Sequence, residues 1–208
     1  RSLNQALEQD PQLKLRGTLF GKVSTLSLTA DASATANTRR IRVDGTEIAA
    51  HDRFSDDGLL LVLINMETQE IVSSALSSVN YPSHEALTLS STLSNLPENT
   101  LVMLASAGDI RGFAQRPELL QVLREYGASD RLAFVTQDQA YAFIGLKGLT
   151  SGAALEQISG SDGLVNLATA VIDGAVLGMN QVPAALGSMS IRDQGVSIDG
   201  TLEASEVA

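Results

Sequence analysis

Two stretches of the chain are apolar at every position, Leu59 to Ile64 and Leu101 to Ala105. Runs this short, the first following Asp56-Asp57-Gly58, suit strands buried on both faces better than helices. Helical spacing appears twice. Ala86, Leu89, Leu93 and Leu96 recur behind Ser83, with Glu85 in the first turn and Pro97 as a stop. Leu119, Val122, Leu123 and Tyr126 follow Pro117 and close at Gly127. The segment Arg39 to Thr46 alternates polar with apolar and turns at Asp44-Gly45, a hairpin signal.

Weaker patterns complete the reading. Ser2 caps a short helix over Leu3 to Gln9 that Pro11 ends. From Gly17 the residues Leu19, Val23, Leu26 and Leu28 sit among Thr and Ser as a strand bulged near Gly21. Asp31 to Thr38 reads as a loop or weak strand. Ile71, Val72 and Leu76 mark another strand, as do Leu132 to Val135 and Tyr141 to Ile144, while Ala153 to Ile158 reads as a helical turn. The fold class expected is α/β of the α+β type. It is a compact β-β-α globule, a mixed sandwich of strands with two main helices, and a β-rich or irregular C-terminal appendage. Residues 1–16 form a helix or linker, 17–158 the domain, and 159–208 the appendage or the start of a next module.

Composition narrows the possible functions. The chain has 208 residues, 44% hydrophobic and 18% charged, enough to bury a core and too apolar for bulk disorder. Its net charge of −10 disfavours nucleic acid and anionic lipid as partners. No apolar run approaches the roughly 18–20 residues of a membrane span. Zero cysteine removes disulfides, thiolate nucleophiles and cysteine-type zinc sites. Residues 160–208 hold Asp162, Asp173, Asp193, Asp199, Glu203 and Glu206 against Arg192, half of the net charge. A chain that begins at Arg1 is expected to be a piece of something larger.

The catalytic inventory is thin. His84-Glu85 resembles the start of a helical zinc motif, but Thr88 stands where the second histidine belongs, and His51 is the only other histidine. No nucleophile elbow, Walker loop or dinucleotide fingerprint occurs. Gly145-Leu146-Lys147-Gly148 reads as a tight turn with a cationic side chain rather than a phosphate cradle. What remains is acidic. Asp56, Asp57, Asp109 and Asp138 all lie at or near expected strand ends, as solvated turn residues or, if they converge, as oxygen ligands for Ca²⁺. Unrelieved repulsion among them would raise a pKa or splay the loops.

Several strings together resemble a known family. They are Arg42-Val43-Asp44-Gly45-Thr46, Gly58 to Asn65, Gln69-Glu70-Ile71-Val72, Leu101 to Asp109, Leu119-Leu120 through Ser129, and Tyr141-Ala142-Phe143-Ile144-Gly145-Leu146-Lys147-Gly148-Leu149. In order and spacing, over residues 38–150, they resemble the interleukin-like EMT inducer domain. That domain occurs in secreted cytokine-like proteins and in the stem of the protein O-mannose N-acetylglucosaminyltransferase. The last string is similar to the family's W-x-F-x-G-x-K-G signature with Tyr141 for Trp.

The resemblance implies a globule that binds rather than catalyses: a lectin-like module in the transferase stem, a signalling or interaction protein in the secreted relatives. Asp56-Asp57-Gly58 stands where the family reads Gly-Arg-Gly, and Asp138-Gln139-Ala140-Tyr141 where it reads Arg-Asp-x-Trp. Two arginines are thus replaced by aspartates, with Arg53 and Arg111 near enough in sequence to compensate. The expectation is a non-catalytic carbohydrate-binding or adhesion module of a larger bacterial or phage surface protein, extracellular or virion-borne. Asp57, Asp109, Arg111, Asp138 and Tyr141 would contact a glycan or cell-surface receptor. No cofactor is expected except optional Ca²⁺ on Asp56, Asp57, Asp109 and Asp138. The alternatives are a structural or protein–protein interaction module and, more remotely, a carboxylate-pair glycoside hydrolase.

Overall fold

A computed structural model describes residues 25–34, 39–51, 57–78, 82–172 and 175–179, with the backbone of 189–190, 197–198 and 202–203. The helix expected over residues 3–9, the strand start at 17–24 and Arg53 and Asp56 lie outside the described residues.

Ten strands form one mixed sheet that folds into two antiparallel halves packed face to face. The first runs β3-β2-β1-β9-β10, from β1 (Thr25–Ser33), β2 (Arg39–Val43), β3 (Thr46–His51), β9 (Leu164–Ile172) and β10 (Ala175–Val176). The second runs β5-β4-β6-β7-β8, from β4 (Gly58–Asn65), β5 (Glu70–Ser78), β6 (Thr100–Ala107), β7 (Tyr141–Leu146) and β8 (Leu155–Ile158). One parallel bridge, Ser33 to Ala107, joins them at a seam. There the Gly108 amide donates to the Ser33 carbonyl at 3.0 Å.

The patterns in β4 and β6 explain the layering. Leu60, Val62 and Ile64 of β4 meet Leu28, Ala30 and Ile41 of the opposite half in one core. Leu59, Leu61 and Leu63 point the other way, into a second core with the helices. The helices are α1 (Pro82–Ser94), α2 (Arg111–Ala114) and α3 (Pro117–Glu125), followed by a 3₁₀ turn at Arg131–Phe134. Ala86, Leu89 and Leu93 of α1 and Leu119, Val122 and Leu123 of α3 bury the expected faces on that half. Because both faces of the second half are covered, β6 is buried throughout and lacks alternation.

The Asp44-Gly45 turn forms as expected. Both residues have positive φ, 50° and 73°, matching the twist of a tight hairpin. The Asp44 carboxylate accepts from the Ser27 amide at 2.7 Å, fixing the turn to β1.

Four expectations need correction. The molecule is largely β, a sandwich with helices on one outer face, rather than a balanced mixture of strands around two helices. Leu132 to Val135 is not a strand: residues 131–134 coil into the 3₁₀ turn, which buries Leu132 and leaves Phe134 outside. Ala153 to Ile158 does not form a helical turn, since Leu155–Ile158 pairs with β7. The boundary at 158/159 cuts through the sandwich, because β9 pairs with β1 over nine residues, Thr25 with Ile172 through Ser33 with Leu164. Further along, β11 (Met189–Ser190), β12 (Ser197–Ile198) and β13 (Leu202–Glu203) form a separate small sheet. No helix among the described residues is long and apolar enough to cross a membrane.

Candidate functional site

The seam end of the molecule gathers most of the residues that sequence chemistry singled out. Asp57 precedes β4, Gly108 to Arg111 follow β6, and Gln137 and Asp138 precede β7. Antiparallel pairing of β4 and β7 on either side of β6 brings these three loops to one edge.

Gly108 sets the approach. Its φ is 68°, and a side chain there would overlap the Asp57 carboxylate, so only glycine lets Asp57 lie against the turn. One residue on, Asp109 and Arg111 form a forked pair. Arg111 donates from Nε to both Asp109 oxygens (2.9 and 3.1 Å) and from Nη2 to Oδ2 at 2.6 Å. The Arg111 amide also donates to Asp109 Oδ1 at 3.1 Å, placing the carboxylate at the start of α2. Arg111 Nη2 reaches Gln137 Oε1 at 3.4 Å, tying the third loop in.

The electrostatics follow this geometry. Hydrogen bonding by Arg111 holds the Asp109 carboxyl below its ordinary pKa, against a smaller opposing effect of burial. The Arg111 guanidinium is raised in turn, first by Asp109, with a further contribution from the charge of Asp138. Asp138 is exposed and shares the field of the pair without bonding to it.

Phe134, which sequence reasoning placed inside a strand, is 77% exposed on the 3₁₀ turn that packs against α2. It is the exposed aromatic nearest in sequence to Gln137. On the other side of the seam, an open cleft of about 470 Å³ is lined by Asp31, Ser33, Asp162, Leu164 and Asn166 among others. Ser33 belongs to the cleft and bonds Gly108, so the cleft and the Asp109–Arg111 pair are neighbours. The Asp31 carboxylate is held by Arg42 and Asn166.

Tyr141 is not at this surface. It is fully buried, stacked against Phe143 with ring centroids 6.3 Å apart, and its hydroxyl donates to Glu156 Oε1 at 2.6 Å. Its ring faces the helices and offers no platform to a ligand. The metal expectation also meets an obstacle. Asp57, Asp109 and Asp138 do not form a group able to hold a cation, and no such group of three or more occurs among the described residues. Asp109 already spends both oxygens on Arg111. His84 sits exposed in the first turn of α1.

The glycine-rich signature has a structural occupation at every position. Glu156 accepts from Tyr141, from the Ser129 amide at 3.0 Å and from the Ser129 hydroxyl. Gly145 passes so close to the Phe143 ring and the Tyr126 carbonyl that a side chain would strike both. Lys147 Nζ donates to the carbonyls of Ser94 and Leu96 at the end of α1, and the Gly148 amide, at φ 90°, to the Glu125 carbonyl.

These features define a helix-backed β-sandwich with its polar loops gathered at one seam. Residues 57–149 match the interleukin-like EMT inducer family model. The match spans β4 to β7 with their helices, beginning at Asp57 rather than at residue 38, and leaves β1–β3 and β8–β10 outside it. No curated protein matches the chain.

Proposed function

We propose that this domain is a non-catalytic recognition module that binds carbohydrate at the seam end. The observation that supports it is the convergence of three loops on the Asp109–Arg111–Gln137 array, with the 3₁₀ turn that carries the exposed Phe134 packed against α2. A forked ion pair presents donors and acceptors in one fixed plane, which suits neighbouring hydroxyls on a sugar ring. An exposed aromatic face beside such a plane suits the apolar face of the same ring.

The charges favour a neutral or amino sugar over an acidic one. Asp109 neutralises Arg111, and Asp57 and Asp138 leave the region negative. Contact is direct rather than bridged by Ca²⁺, since the carboxylates that would ligate the ion are spread over the pair and the turn. The setting that accompanies this reading is an extracellular or surface protein, as for the family's secreted and stem-domain members.

A glycan array of the purified chain, probed with Ca²⁺ and with EDTA, tests the reading. Specific binding in both conditions supports it; binding lost in EDTA restores the metal-bridged form. A second reading, a structural or protein-contact module, is favoured by one observation: every residue of the signature from Tyr141 to Gly148 that makes a polar contact makes it within the fold. A blank array in both conditions selects that reading.

A further inference from the structure

β5 is the outer strand of the helix-backed half. It pairs with β4 on one side, and among the described residues no strand lies on the other. Residues 70–75 are all exposed, on both faces of the sheet. From Ile71 to Ser78 the strand has no charged residue and no proline. Edges that remain solitary are commonly guarded by lysine, proline or short length. Here the guard is one bulge at Val72, between the Leu63–Ser73 and Ile64–Ile71 pairs, and from Ser73 onward the register is regular.

We infer that this edge pairs antiparallel with β5 of a second copy, about a twofold axis at Ala75. An axis perpendicular to the sheet keeps each residue on its own face, so the centre of a self-paired strand must fall on a residue. Centred on Ala75, positions Ser73, Ala75 and Ser77 meet Ser77, Ala75 and Ser73, a row that reads the same in both directions. In the sheet these positions pair with Leu63, Leu61 and Leu59 of β4. Ser74 meets Leu76. Glu70, the only charge of β5, falls beyond the pairing, so two chains of net charge −10 meet here without opposing carboxylates. The second copy is the occupant whose sequence is matched to this edge in length, neutrality and symmetry. Few residues are involved, so the dimer is weak and concentration-dependent.

The chain has no cysteine, which makes the test direct. Opposed Cα atoms of an antiparallel pair lie about 4.5–5.5 Å apart, within disulfide reach. Ala75→Cys is expected to give a disulfide-linked dimer on mild oxidation, while Glu67→Cys, on the exposed β4–β5 turn, stays monomeric. Ala75→Lys sets two ammonium groups against each other and is expected to turn the sedimenting dimer into monomer. A wild-type chain that sediments as monomer, with Ala75→Cys cross-linking no faster than Glu67→Cys, overturns the inference. So does a dimer that Ala75→Lys leaves intact.

Discussion

Lys147, on the turn after β7, donates from Nζ to the Ser94 carbonyl at 2.8 Å and closes the C-terminal end of α1. A second bond to the Leu96 carbonyl, at 2.6 Å, satisfies another carbonyl just past the helix. The cation therefore stands where the helix dipole is negative. Lys147→Met keeps most of the side chain's length and removes the charge. It is expected to destabilise the fold by about 1–2 kcal/mol, as loss of charge-assisted bonds at a partly exposed site would. Urea denaturation checks this, and an unchanged midpoint would contradict it.

Gly145, inside β7, and Gly148, in the turn that follows, serve different needs. Gly145→Ala drives a methyl into the Tyr126 carbonyl and the Phe143 ring, 2.4 and 2.2 Å from the added carbon. Backbone cannot yield cheaply, so a loss of about 2–3 kcal/mol is expected. Gly148→Ala meets open space at φ 90° and is expected to cost about 1 kcal/mol through strain alone. Calorimetry on the two variants should give that order, and the reverse order would refute the packing argument.

Alkaline titration reads the tyrosines. Burial pushes Tyr126 up to about 12, helped by the charge of Glu125, while its hydroxyl donates to the Leu93 carbonyl at 2.7 Å. Tyr141 is raised by burial first and then by Glu156. Both folded values exceed the unfolded value of about 10. Their contribution to stability is thus fully present below about pH 10 and is lost as pH rises through the folded values. Absorbance at the phenolate band should show both rings ionising only with unfolding.

Asp109 has the opposite sign. Arg111 lowers its pKa, so the pair's contribution is present above the unfolded value of about 3.9 and fades as pH falls through the lower folded one. Ligand binding at this site is expected to be flat from neutral pH to about pH 5 and to fail only in stronger acid. A midpoint near pH 6 would indicate a different group.

How much of this was legible in the residues depended on whether the information was local. The unbroken apolar runs of β4 and β6, the Asp44-Gly45 turn and the stripes of α1 and α3 reported themselves, because each is encoded within one element. The β1–β9 pairing joins residues some 140 positions apart through alternation that any exposed strand would show, and no local pattern names the partner. Leu132 to Val135 was too short for periodicity to separate a strand from a 3₁₀ turn. That ambiguity concealed Phe134. Carboxylates at strand ends gave Asp57, Asp109 and Asp138, and proximity in sequence gave Arg111. Gln137 carried no signal, and Tyr141 misled because an aromatic beside an expected site can equally be core.

The most direct test of recognition at the seam is glycan binding by the wild-type chain beside Arg111→Ala and Phe134→Ala. Both side chains are exposed enough that melting temperatures should stay close to wild type. The expected result is specific binding by the wild type, lost at least tenfold in each variant, about 1.4 kcal/mol or more. Binding that survives both substitutions, or a wild-type chain that recognises no glycan, would contradict carbohydrate recognition at this end of the molecule.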